Sequence, residues 1–125
     1  MTHMEKAREL RARTDVHINC SQAVVMAYAD EIGLTGEQAN SLAEHFGAGM
    51  RMGSVCGAAT GGLMVLGLLG KDESAAAAFR RRFKEEAKNL NCADLLRSAA
   101  ENGEPKKEHC DRMVWLAVDL VEEQL

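Results

Sequence analysis

A glycine-rich loop that leads into a long apolar segment is the feature that most constrains the fold of this chain. Residues 46–69 read FGAGMRMGSVCGAATGGLMVLGLL. Gly47, Gly49 and Gly53 would break any preceding helix and let backbone approach a neighbour closely. After these glycines no charged residue occurs until Lys71. Because an apolar run of about 15 residues is too short to span a bilayer, it predicts a central helix packed inside a domain.

Two glycines of this segment predict close packing of a second helix. Gly57 and Gly61 are four residues apart, so they share one face of the predicted helix and leave a groove there. Cys56 lies where this helix begins, beside the groove. We hypothesise that Cys56 is a working thiol. The apolar helix and its open glycine face also leave a homodimer as an alternative.

Composition predicts one all-α domain. The chain has 125 residues, of which 46% are hydrophobic, and this suits a single domain covering residues 1–125. It contains one proline and few aromatic residues, and strand signals are nearly absent. Apolar residues recur at helical spacing along most of the sequence. We therefore predict a compact helical bundle of about six to seven helices.

The four cysteines fall at or near predicted helix starts. Asn19 is expected to cap a helix from Cys20 to about Ile32, and Thr35 with Gln38 forms a capping-box pattern. The other three cysteines start or adjoin the central helix, a short helix after Asn91, and a last helix over 109–125; they are Cys56, Cys92 and Cys110. A helix start presents unpaired N–H groups and the positive end of the dipole. Both favour thiolate, so the sequence predicts lowered thiol pKa values.

Charge and the amino-terminal residues limit the partners and the compartment. A net charge of −4 argues against a nucleic-acid partner, which normally requires a basic face. Residues 1–13 are charged throughout and lack the apolar centre of a signal peptide. We therefore expect a cytoplasmic protein with no membrane partner. In that compartment four cysteines are more often redox-active, catalytic or metal-binding than a permanent disulfide framework.

Three chemistries remain open for the cysteines. The first is dithiol–disulfide exchange among thiols that helix packing brings together, with Cys56 central and the other three as resolving partners. The second is a metal or iron–sulfur site built from the same four residues, although no C-x-x-C pair supports it. The third is a non-catalytic interaction module with inert, buried cysteines. His17 and His109 lie near cysteines and could act as a base, a ligand or a helix cap.

The arrangement of these motifs resembles the C_GCAxxG_C_C family of putative redox-active proteins. The resemblance covers about residues 17–121 and is carried by Asn19-Cys20-Ser21-Gln22-Ala23, Phe46-Gly47-Ala48-Gly49, Cys56-Gly57-Ala58-Ala59-Thr60-Gly61-Gly62-Leu63-Met64, Cys92 and Cys110. In the pattern that names the family, glycine precedes the second cysteine and alanine follows it. Here the order is Val55-Cys56-Gly57-Ala58, and the later Gly61 is retained.

The resemblance implies that Cys20, Cys56, Cys92 and Cys110 form the functional set. It implies less about activity. From the residues themselves we expect thiol–disulfide exchange or electron transfer, as in a thiol–disulfide oxidoreductase, with a redox partner that the sequence does not identify. The cofactor, the substrate and the disulfide pairing are likewise not specified by the sequence.

Overall fold

The chain folds into helices only. A computed structural model describes all 125 residues and contains eight helical segments and no strand. The seven α-helices are α1 His3–Ala12, α2 Cys20–Ala27, α3 Gly36–Ala43, α4 Gly57–Leu68, α5 Glu73–Ala87, α6 Cys92–Glu101 and α7 Lys106–Glu122. The eighth segment is a five-residue turn of π-helical hydrogen bonding, Gly49–Gly53. The all-α prediction is confirmed, and the turn takes the number of segments one above the six to seven expected.

Local capping explains where most helices begin. The Asn19 side chain accepts a hydrogen bond from the Gln22 amide, and the Gln22 side chain reaches back to the Asn19 amide. Thr35 and Gln38 form the same reciprocal pair at α3, as predicted. The Asn91 side chain accepts a hydrogen bond from the Asp94 amide, at the predicted start of α6. Each cap satisfies amides that the first turn would otherwise leave unpaired.

Two predicted boundaries are wrong. Helix α2 ends at Ala27 and is followed by turns up to Gly33, whereas the sequence predicted a helix to about Ile32. Helix α7 begins at Lys106, three residues before the predicted start, because Pro105 holds the extended backbone that starts a helix and its carbonyl accepts from the fourth amide after it.

Helix α4 lies at the centre of one cluster of 25 buried residues, with α2 and α7 against it. A methyl group added at Gly61 would lie 2.9 Å from the Ser21 carbonyl oxygen and 3.1 Å from Val24 Cβ. At Gly62 it would lie 2.3 Å from the ring of Phe79 on α5. The glycines therefore let two helices approach α4 from different sides, and the predicted close packing is confirmed. No helix is both long and apolar enough to cross a membrane.

The turn before α4 has an unusual left-handed backbone. The φ angles of Ala48, Gly49, Met50 and Arg51 are 54°, 63°, 61° and 59°, and only glycine adopts this region without strain. A side chain at Gly49 would also lie 2.7 Å from Cys92 Cβ. We call this segment, residues 48–53, the left-handed loop. This loop leads into the start of α4 and packs against α6.

Candidate functional site

All four cysteines line one cavity of about 450 Å³, which we call the four-cysteine cavity. Its walls come from the amino-terminal parts of α2, α4, α6 and α7, together with the end of α1 and the segment after it. Cys56 is buried, the other three cysteines are half-buried, and all four are free thiols. Cysteines from four separate parts of the sequence therefore share one space.

The contact between α2 and α4 brings Cys20 beside Cys56. Cys20 is the first residue of α2, and Cys56 is the residue immediately before α4. A methyl group added at Gly57 would lie 2.5 Å from Cys20 Sγ and 2.7 Å from the Phe46 carbonyl oxygen. The Cys20 sulfur thus rests on the backbone of the residue that follows Cys56. The groove that the sequence predicted beside Cys56 exists, and Cys20 fills it.

A short antiparallel pairing brings Cys56 near Cys92. The Cys56 amide donates to the Leu90 carbonyl at 2.7 Å, and the Cys92 amide donates to the Ser54 carbonyl at 2.6 Å. These two hydrogen bonds lie on either side of a single antiparallel bridge between Val55 and Asn91. Cys56 and Cys92 are therefore diagonal neighbours on one face of the pairing, a relation that separates residues by roughly 7–8 Å. That separation is slightly beyond the usual Cα distance of a disulfide, about 4.4–6.8 Å.

Cys110 reaches the same cavity from a different position than predicted. It is the fifth residue of α7, so it lies in the second turn rather than at the helix start. Arg11 of α1 faces this turn, because its Nε donates to Asp111 Oδ1 at 2.6 Å and its Nη1 to the Ile18 carbonyl at 2.8 Å. The ion pair between Arg11 and Asp111 therefore joins α1 to α7 beside Cys110.

The prediction of lowered thiol pKa values is wrong for three of the cysteines. Burial raises the pKa of Cys56 to about 12, although the Ala59 and Ala58 amides of the first turn of α4 favour its thiolate. Burial also raises the pKa values of Cys92 and Cys110. At Cys56 the helix start does offer the thiolate hydrogen bonds, but the loss of hydration outweighs them.

Cys20 and Cys92 each lie close to all of the other three thiols. Negative charge at Cys20 adds to the effect of burial on the pKa of Cys56, of Cys92 and of Cys110, and negative charge at Cys92 does the same for Cys56 and Cys110. The packing therefore does not single out one central thiol, and Cys56, which the sequence favours, neighbours both Cys20 and Cys92.

His109 lines the cavity beside the thiols and is 4% exposed. Burial lowers the pKa of His109, and the positive charge of Arg112 lowers it further, against the opposing effect of Glu104. Its Nδ1 lies 3.5 Å from Glu104 Oε1 and 3.5 Å from Arg112 Nη2. The imidazole is therefore neutral at neutral pH. His17 also lines the cavity but is exposed.

Sequence reasoning missed the basic side of the cavity. Four cationic side chains line it and no acidic side chain does; they are Arg11, Arg13, Lys106 and Lys107. They come from opposite ends of the sequence and form no basic run, so only the packing of α1 against α7 reveals them. In contrast, Arg81 and Arg82, which do belong to a basic run in the sequence, form ion pairs on the surface of α5.

No three side chains among the histidines, cysteines, aspartates and glutamates are grouped closely enough to share a metal ion. The four thiols thus surround the cavity without converging on one point in this structure. The four residues that the metal hypothesis named therefore line one cavity, but they are not grouped closely enough to bind one ion together. These residues are Cys20, Cys56, Cys92 and Cys110.

Comparison with known protein families gives one match for the sequence that forms the cavity. Residues 18–124 match the family model described as putative redox-active protein (C_GCAxxG_C_C). The matched range contains all four cysteines and the left-handed loop. Comparison with curated proteins and with solved structures found no match.

Proposed function

We propose, since this chain belongs to the C_GCAxxG_C_C family of putative redox-active proteins, that it performs thiol–disulfide exchange in the four-cysteine cavity. One observation supports this most directly: four free thiols from distant parts of the sequence line a single cavity of about 450 Å³. Inert cysteines would need no shared space that an outside molecule can enter. Exchange, in contrast, needs two thiols and a disulfide together.

The proposed reaction transfers two electrons. Two protein thiols are oxidised to one protein disulfide, and the incoming disulfide is reduced to two thiols. The first attack forms a mixed disulfide and releases one small thiol, and a second protein thiol then displaces the other. Cys20 is well placed to serve both stages, because its Sγ lies against the backbone of Gly57 beside Cys56 and it also neighbours Cys92 and Cys110.

His109 is the proposed proton acceptor. The thiols with raised pKa values must lose a proton before they attack, and a neutral imidazole on the cavity wall can accept it. Nδ1 lies 3.5 Å from Arg112 Nη2, which can only donate, and 3.5 Å from Glu104 Oε1, which can only accept, so the tautomer that leaves Nε2 free for the thiol proton is the one whose Nδ1 hydrogen points to Glu104. We expect His109→Gln to slow exchange about tenfold or more near neutral pH and to lose the rise in rate that accompanies imidazole deprotonation.

The test is an oxidation of fully reduced protein under nitrogen. The protein is mixed with a small disulfide, quenched in acid, unfolded and alkylated, and its mass then gives the number of thiols that remain. We expect loss of two or four thiols per chain without dimerisation, and peptide mapping should place the link between cysteines of different helices. Thiols that stay reduced, or that link only between chains, would overturn the proposal.

Matched variants test the role of Cys20. Cys20→Ser removes a neighbour of the other three cysteines and leaves Cys56 beside Cys92 at slightly more than the usual disulfide distance, so we expect it to slow intramolecular oxidation about tenfold or more. Cys110→Ser leaves Cys20 together with Cys56 and Cys92, so its first oxidation should remain close to that of the unaltered protein. Metal analysis of protein purified without oxygen tests the alternative, because stoichiometric iron or zinc with thiols that resist oxidation would favour a metal site.

A further inference from the structure

We propose that the four-cysteine cavity takes a small anionic disulfide as its substrate, a molecule with carboxylates on both sides of its S–S bond. The inference rests on the proposed exchange chemistry and adds the substrate class. Three observations support it: the charge of the cavity walls, the four helices that begin at the cavity, and the size of the cavity.

The walls carry more positive than negative charge. Four cationic side chains line the cavity: Arg11, Arg13, Lys106 and Lys107. Asp111 accepts from Arg11 Nε at 2.6 Å and from Lys107 Nζ at 2.8 Å, and Asp15 accepts from Arg13. Neither carboxylate belongs to the lining. Two carboxylates therefore face four cations in a chain whose net charge is −4, and Lys106 makes no ion pair at all.

Helix direction adds to this field. Helices α2, α4, α6 and α7 contain 8, 12, 10 and 17 residues, and each has its first turn at the cavity. Cys20, Cys92 and Lys106 are the first residues of three of them, and Cys56 immediately precedes the fourth. The amino-terminal end of a helix carries about half a positive charge and stabilises anions nearby. Four such ends, added to the side-chain cations, surround one space.

Three of the four thiols do not cancel the positive charge of the cavity walls. Because burial raises the pKa values of Cys56, Cys92 and Cys110, these groups are neutral near pH 7. The Lys106 ammonium acts on Cys92 and on Cys110, so it stands on the side of the cavity where those thiols lie. A carboxylate of the substrate that approaches Lys106 would therefore bring its sulfur atoms toward the protein thiols.

The size of the cavity favours a small molecule. A volume of about 450 Å³ lies within the range of ordinary small-ligand pockets, about 300–1,000 Å³. A small disulfide that occupies this volume would have its sulfur atoms among the four protein thiols that line it. On exchange its S–S bond breaks, one protein S–S bond forms, and two small anionic thiols leave with the two electrons and two protons that the protein thiols supplied.

Three small disulfides of different charge test the proposal: oxidised glutathione, which is anionic, hydroxyethyl disulfide, which is neutral, and cystamine, which is cationic. Second-order rate constants for loss of protein thiols are divided by those for a free model thiol, so that intrinsic S–S reactivity cancels. We expect the anionic probe to be about tenfold or more faster than the cationic probe at low salt, with a difference that shrinks as salt is added.

Lys106→Gln gives the residue-level test. It should lower the rate with oxidised glutathione about three- to tenfold and alter the rate with cystamine in the opposite direction. Lys71→Gln is the matched control, because Lys71 lies beyond the far end of α4 and does not line the cavity. It should leave both rates unchanged.

The outcomes separate this inference from the function beneath it. Equal normalised rates for the three probes, or the fastest rate with cystamine, would overturn the anionic substrate and leave thiol–disulfide exchange intact. Failure of all three probes to oxidise the protein would overturn the exchange reaction itself, and the substrate class with it.

Discussion

The substitution Gly61→Ala tests the packing that holds the cavity together. The added methyl would lie 2.9 Å from the Ser21 carbonyl oxygen, 3.1 Å from Val24 Cβ and 3.4 Å from Ser21 Cα. A backbone oxygen and a buried valine cannot move aside without displacing α2. Overpacking of a close-packed site costs about 1–3 kcal/mol. Because α2 also carries Cys20, the displacement should disturb the cavity as well as the stability.

Gly67→Ala is the matched control within the same helix. Gly67 is exposed, and nothing lies within 4 Å of the methyl that it would gain. Alanine stabilises a helix relative to glycine by about 0.8–1.0 kcal/mol, and both substitutions receive this gain. The difference between the two variants is therefore the steric cost alone, about 1–3 kcal/mol.

Urea unfolding under reducing conditions measures that difference. We expect Gly67→Ala to unfold at higher urea than the unaltered protein and Gly61→Ala at lower urea than Gly67→Ala, with the same dependence of free energy on urea. If Gly61→Ala equals or exceeds Gly67→Ala in stability, α2 does not approach α4 closely at this glycine, and the assembly of the cavity as described would be wrong.

Three further predictions concern buried groups. Burial raises the pKa of Cys56 from 9.0 to about 12, so between these pH values the folded protein keeps a proton that the unfolded chain loses. The free energy of unfolding should therefore fall by about 1.4 kcal/mol per pH unit in that window. Measured as a function of pH, it should fall less steeply for Cys56→Ala, and an equal slope would contradict the assignment. The Ser21 hydroxyl is buried without a hydrogen-bond partner, so thermal unfolding of Ser21→Ala should show unchanged or higher stability, whereas a loss above about 1 kcal/mol would reveal a missed partner. The Tyr28 hydroxyl lies 2.9 Å from the Val118 carbonyl and from Glu122 Oε1, so Tyr28→Phe should cost about 0.5–1.5 kcal/mol in urea unfolding, and no loss would mean that water replaces these bonds.

Features fixed by local bonding could be predicted from the sequence. Asn19, Thr35 and Asn91 were recognised as caps because a cap depends on a side chain and an amide three residues away. The glycine groove on α4 could also be predicted, since its two residues share a face of one helix. The exact start of α7 at Lys106 was harder to predict, because proline suits both a loop and the position just before a helix.

Features that depend on distant parts of the chain could not be predicted. The sequence showed Cys56 at a helix start, but the burial that raises its pKa comes from other helices. The basic walls unite Arg11 with Lys106, whose positions in the sequence give no sign that they meet. The left-handed backbone at Met50 and Arg51 is contrary to the preference of ordinary residues, so residue type alone does not predict it.

The central claim is that folding gathers the four thiols, and the most direct measurement compares their disulfide equilibrium in folded and unfolded protein. Reduced protein is equilibrated with mixtures of reduced and oxidised glutathione, with and without strong denaturant, and the ratio of intramolecular disulfide to dithiol gives an effective thiol concentration in each state. In the unfolded chain the distant cysteines meet rarely, at about millimolar effective concentration or below. We predict a value at least tenfold higher for the folded protein. An equal or lower value would show that folding does not bring these cysteines together for exchange.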